Sequence, residues 1–100
     1  YEAGLVKNES KPFDKAFQYY TKAYKLGCIR AIIKLSICYL KGKGTQIDLN
    51  KALELNQQIV NEPRLEEKDR LDALFYLGYI YQTNNDKIDL DKAIEYYLLV

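Results

Sequence analysis

Few residues of this chain are placed to do chemistry. Histidine is absent, and with it go the commonest general base and the commonest zinc ligand. Glu66 and Glu67 form an adjacent acid pair, but neighbouring positions do not converge on one face of a helix. They read as a solvated helix start rather than an acid–base couple. Ser36 has no histidine to activate it and reads as a packing residue. Gly42-Lys43-Gly44 is too short for a phosphate loop and follows a helical stretch, whereas a phosphate loop follows a strand. Cys28 and Cys38 are too few for the disulfide framework of a small secreted domain, and without histidine they make no zinc site. Cys38 reads as a small core residue and Cys28 as incidental. Unpaired thiols suit a reducing compartment, so a cytoplasmic location is the expectation. No catalysis, metal or cofactor is expected.

Charge points the same way. Fifteen basic against fourteen acidic residues leave +1, too even a balance for a nucleic-acid groove or an anionic membrane surface. No apolar run approaches the roughly 18–20 residues of a membrane span, and no signal pattern opens the chain. With 48% hydrophobic and 29% charged residues, the composition is that of ordered globular material. The chain opens on Tyr1 and stops on the apolar run Leu98-Leu99-Val100, and it reads as part of a larger chain.

The elements that position these residues repeat. Lys-Ala recurs at Lys15-Ala16, Lys51-Ala52 and Lys92-Ala93. The frames agree: Asp48-Leu49-Asn50-Lys51-Ala52-Leu53 parallels Asp89-Leu90-Asp91-Lys92-Ala93-Ile94. A second pattern, Ala31-x-x-x-Leu35-Ser36-x-x-Tyr39-x-x-Gly42, returns as Ala73-x-x-x-Leu77-Gly78-x-x-Tyr81-x-x-Asn84, and its tail opens the chain as Tyr1-x-x-Gly4. Two linked patterns in a fixed order mark a repeat architecture.

Both patterns are helical. Phe13, Ala16, Phe17, Tyr20, Ala23 and Tyr24 fall on one stripe of a 3.6-residue period, as do Leu49, Ala52, Leu53, Ile59 and Val60, with Asn56 interrupting. Leu90, Ala93, Ile94, Tyr97 and Val100 repeat the stripe. Asp48 and Asp89 are placed as N-caps. Pro12 predicts that the first Lys-Ala helix starts at Ser10 or Lys11, with proline in its first turn. Gly27, Gly42 and Asn84 follow helical stretches and suit the left-handed conformation that ends them. Gly42-Lys43-Gly44 and Asn84-Asn85-Asp86 are the expected loops within a unit. Ser36 and Gly78 share a position where a small side chain lets helices approach. The segment Pro63-Arg64-Leu65-Glu66-Glu67-Lys68-Asp69 is extra in the third unit and is expected to lengthen its first helix.

These residues carry a resemblance. The pattern A-x-x-x-L-G-x-x-Y-x-x-G-x-G followed by D-x-x-K-A resembles the Sel-one-like repeat, a relative of the tetratricopeptide repeat. Ala31, Leu35, Ser36, Tyr39, Gly42, Gly44, Asp48, Lys51 and Ala52 make a nearly complete copy. The third unit keeps Ala73, Leu77, Gly78, Tyr81, Asp89, Lys92 and Ala93 but has Asn84 and Asp86 for the loop glycines. A plain tetratricopeptide array is the nearest competitor, but the intervals from Tyr39 to Ala52 and from Tyr81 to Ala93 are longer than its connection. The fold class is therefore all-α, a right-handed solenoid of antiparallel helix pairs. Residues 1–27 form a partial first repeat, 28–62 a second, and 63–100 a truncated third.

The resemblance implies a non-catalytic scaffold or adaptor whose concave wall, built by the first helix of each pair, binds another protein or peptide. Subtracting the stripe that packs within each unit leaves Arg30, Ile33, Ile37 and Lys41 in the second unit, and Asp72, Phe75, Tyr79 and Gln82 in the third. Ile33, Ile37, Phe75 and Tyr79 form an apolar strip with polar flanks, the form of an anchor groove for a helix or extended peptide. The alternative is that they pack against adjacent helices of the same stack. Tyr39, Tyr81, Tyr20 and Tyr97 occupy repeat positions and read as structural, whereas Tyr19, Tyr76 and Tyr96 lie off the stripe and are candidates for exposed contacts. An RNA-binding helical repeat is a second reading, disfavoured by the lack of a basic stripe. A regulatory subunit that docks on an enzyme is a third.

Overall fold

A computed structural model describes residues 2–84 and 88–100, with side chains from residue 12 onward. The described residues form five helices and no strand: α1 (Glu2–Lys25), α2 (Ile29–Lys41), α3 (Leu49–Val60), α4 (Glu67–Thr83) and α5 (Leu90–Leu98). Each packs on the helix before and after it, and the result is an elongated body of 48 × 31 × 20 Å. This is an all-α repeat solenoid, in which stacking builds the core that a single pair lacks.

Local chemistry sets the helix ends. Asp48 and Asp89 each cap a Lys-Ala helix, their Oδ1 atoms accepting the N–H of Lys51 at 3.0 Å and of Lys92 at 3.1 Å. Their own N–H groups donate back to the carbonyls of Tyr39 at 3.0 Å and Tyr81 at 2.9 Å. Both within-unit loops therefore close on the same atoms despite different sequences. Gly42 ends α2 in the left-handed region at φ 70°. At Gly44, φ is 75°, and a Cβ there would run into the carbonyl oxygen of Phe13 and lie 2.7 Å from Phe17 Cβ. Only glycine lets this loop lie flat on α1.

Two apolar clusters hold the stack. One joins Ile32 and Leu35 of α2 to Leu55 and Ile59 of α3 and Ala73 of α4, with Phe17 and Tyr20 of α1 at its edge. The other joins Leu40, Ala52, Leu53, Leu77 and Ile80. Each cluster spans more than one pair, so α3 is sandwiched between α2 and α4. Ser36 and Gly78 are both buried, and Tyr97 lies against Gly78. Cys38 is in the core, Cys28 is exposed, and neither is bonded.

Several sequence expectations need correction. Pro12 does not sit in a first turn, because α1 runs unbroken from Glu2 to Lys25. Val6 stands where the second unit has Gly44, and a β-branched residue resists the left-handed backbone that Gly44 adopts. The extra segment lengthens α4 only in part. Residues 61–66 form a turn before Glu67, where Arg64 donates from its backbone N–H and Nε to Glu62 Oε2 at 3.0 and 2.9 Å. Asn84 is not left-handed; at φ −75° and ψ 104° it is extended and buried, and its Nδ2 donates to Asn50 Oδ1 at 3.0 Å. Asn85 and Asp86 of that loop lie outside the described residues. In α5, Ala93 is buried, while Leu90 and Ile94 of the same stripe are exposed.

Candidate functional site

Alternating helices fall into two layers. Arg30 Nη1 lies 3.4 Å from Asp69 Oδ2, joining the first turns of α2 and α4. Tyr24 Oη donates to Gln58 Oε1 at 3.3 Å, joining the last turns of α1 and α3. Helices within a layer thus run in the same direction. Towards the other layer α2 turns Ala31, Ile32, Leu35, Ser36 and Cys38, and α4 turns Ala73, Leu74, Leu77, Gly78 and Ile80.

The residues expected to line a wall lie on the opposite sides of α2 and α4. Arg30, Lys41, Asp72 and Gln82 are exposed, and Ile33 and Ile37 are half-buried. Phe75 and Tyr79 keep 49% and 43% of their surface in solvent, high for rings of this size on a stacked helix. Ile33 packs at the edge of the first cluster, which includes Ala73 of α4. Phe75, its repeat equivalent, leans on Tyr97 at 5.7 Å and Tyr76 at 5.8 Å between ring centroids. Gln82 Oε1 accepts a 2.7 Å hydrogen bond from Tyr97 Oη. Four of the eight residues, Arg30, Ile33, Phe75 and Gln82, therefore also make contacts within the stack.

Lys34 was missed by subtracting the stripe, yet it is exposed on the same side of α2. Its spacing from Arg30 and Lys41, four and seven residues, could have found it, since these intervals return to one face of a helix. Of the off-stripe tyrosines, Tyr19 is exposed as expected, but Tyr76 and Tyr96 are half-buried against the second cluster. Tyr96 stacks on Tyr81 at 5.8 Å with planes 6° apart, and Lys92 Nζ sits 5.4 Å from the Tyr81 ring. Packing of α5 on α4 recruits rings that lie outside a single helix's stripe.

Among the described residues, electrostatics single out two places. Burial pushes the Cys38 thiol up, with Lys43 opposing in part, so the thiolate is disfavoured. Hydrogen bonds from the Arg64 side chain and backbone hold Glu62 at about 2, and the same pairing raises Arg64. This pair ties the 61–66 turn beside a 490 Å³ hollow lined by Val60, Pro63, Leu65 and Arg70. Among the described residues, no cluster of three histidine, cysteine or acidic side chains can hold a metal, and no helix is long and apolar enough to cross a membrane.

Comparison with protein families finds the Sel1 repeat at residues 1–28, 29–58 and 71–99. The second match spans α2 and nearly all of α3, the third spans α5 and most of α4, and the unmatched 59–70 contains the 61–66 turn. No curated protein and no solved structure matches the chain. Sel1 repeats are generally protein–protein interaction modules and typically non-catalytic scaffolds. With three successive matches laid over helices that are capped and closed alike in two units, the chain belongs to the Sel1 repeat family.

Proposed function

We propose that this chain is a non-catalytic scaffold that holds a segment of another protein on the wall of α2 and α4. The eight wall residues are Arg30, Ile33, Ile37 and Lys41 with Asp72, Phe75, Tyr79 and Gln82. The observation that carries this reading is the exposure of Phe75 and Tyr79, one helical turn apart on α4. A half-exposed aromatic pair gives up most when a partner excludes water, and such side chains supply much of the energy in ordinary interfaces. Ile37, half-buried, holds the position on α2 that Tyr79 holds on α4, and Arg30, Lys41, Asp72 and Gln82 are exposed polar residues of the same two helices.

The test is selection of binders from a displayed library of random twelve-residue peptides on the immobilised chain. Enriched peptides are then titrated against Tyr79→Ala and Phe75→Ala. We expect affinity to fall by about 1–2 kcal/mol in each variant, with Tyr79→Ala leaving the melting temperature nearly unchanged. Equal losses of binding and folding would assign both rings to the stack.

A further inference from the structure

The wall is not electrically even. Residues 29–41 carry three cations, Arg30, Lys34 and Lys41, and no acid, and all three are exposed on one face of α2. On α4 every charge lies in the first two turns, the acids Glu67, Asp69 and Asp72 with Lys68 and Arg70, and 73–84 contain no charged residue. The two ends of the wall therefore differ. At the N-terminal end Arg30 is paired with Asp69, and Asp72 stands nearby in sequence. Towards the C-terminal end, Lys34 and Lys41 form no ion pair among the described residues, and the C-terminal half of α4 carries Tyr79, Gln82 and Thr83 instead of carboxylates. Two ammonium groups with no ion pair among the described residues thus share the outer face of α2 with Ile37, and Phe75 and Tyr79 hold the equivalent face of α4.

We infer that this wall takes an acidic, amphipathic peptide segment, its carboxylates on Lys34 and Lys41 and its apolar side chains on Phe75 and Tyr79. The inference rests on reading the wall as the binding face and adds the chemistry of the occupant. Seven residues of helix separate the two lysines, about 10 Å along the axis, which sets the spacing of the carboxylates they meet. Opposite charge speeds encounter and fixes orientation, while the desolvated rings hold the complex. A basic segment meets like charge on α2, and a wholly apolar one leaves both ammonium groups to be covered without partners.

The same library of random twelve-residue peptides supplies the probes. Acid-rich peptides that also carry leucine or aromatic residues are expected to dominate the enriched set. Their affinity should fall about tenfold or more in the double variant Lys34→Glu/Lys41→Glu, and several-fold between 50 and 300 mM salt. Both lysines are exposed, so this variant should melt as the parent does; Lys34→Gln/Lys41→Gln, which removes charge without reversing it, should give an intermediate loss. Neutral or basic winners that ignore the lysines but still need Tyr79 would overturn the acidic class and leave the wall as the binding face. Winners indifferent to lysines and rings alike would overturn both readings. Retention of single-stranded polyuridylate that competes with the peptides and disappears on charge reversal would overturn the choice of an acidic protein segment.

Discussion

The Cβ that Gly78 lacks would lie 2.7 Å from Cε1 of Tyr97, inside the contact distance of an aromatic ring. Tyr97 is held in place by its hydrogen bond to Gln82 and its packing on Phe75. The second unit solves the same contact differently, with Ser36 and Asn56 at the equivalent positions, both buried. A small residue on one helix and a ring on the next are therefore coupled choices. Gly78→Ala gains up to about 1 kcal/mol of helix propensity but loses about 1–3 kcal/mol to overpacking. The expected outcome is a net loss of about 1–2 kcal/mol in urea unfolding. Tyr97→Leu in the same chain should recover part of that loss, seen as a non-additive double-mutant cycle. Strict additivity would mean that the ring moves freely aside.

The caps make a second prediction. Asp48→Ala and Asp89→Ala each remove an acceptor for a first-turn N–H while leaving the backbone bond to the preceding tyrosine carbonyl available. Each should cost about 1 kcal/mol. Asp48→Asn and Asp89→Asn should restore most of it, because an amide oxygen caps nearly as well as a carboxylate. Chemical denaturation of the two pairs of variants checks this.

Asn56 gives the largest effect. It is fully buried in α3; its Nδ2 donates to the Ala52 carbonyl at 2.8 Å and its Oδ1 has no partner. Asn56→Asp would put a carboxylate where neither water nor a cation reaches it, raising its folded pKa above the unfolded value of about 3.9. A raised acid is harmless while protonated, so the variant should be most stable near pH 4. It should lose stability as pH rises towards its folded pKa, reaching several kcal/mol at neutrality. A melting temperature independent of pH between 4 and 7 would show that the site admits water.

At Glu62 the sign is reversed. Its carboxyl is held at about 2 by Arg64, below its ordinary 4.5, so the contribution to the 61–66 turn is complete above pH 4.5 and is lost as pH falls through about 2. The Arg64 amide resonance should follow that titration, and in Arg64→Gln the carboxyl should titrate higher.

Much of the fold was legible because its determinants are local. Asp48, Asp89, Gly42 and the Lys-Ala frames state where helices start and stop within a few residues of themselves. What failed depends on what lies alongside. Periodicity gives α5 the same stripe as α3, but Leu53 is covered by Leu77 and Ile80 while its counterpart Ile94 is exposed. Tyr76 and Tyr96 lie outside one helix's stripe and are half-buried because the neighbouring helices build a shared cluster beside them. Pro12 suggested a boundary, yet α1 runs through it, with Val6 where the second unit has Gly44 and the third has Asp86. The candidate wall was legible as a face; the unpaired state of Lys34 and Lys41 required knowing where the acids of α4 fall.

The longer first helix of the third unit has an effect beyond its own pair. Asp69, which reaches Arg30, lies in the added first turn of α4, four residues ahead of the repeat alanine Ala73. An insertion in one unit thereby cancels a charge on the unit before it. Variation in connector length is thus a means of retouching a neighbour's recognition surface while that neighbour's own residues stay unchanged.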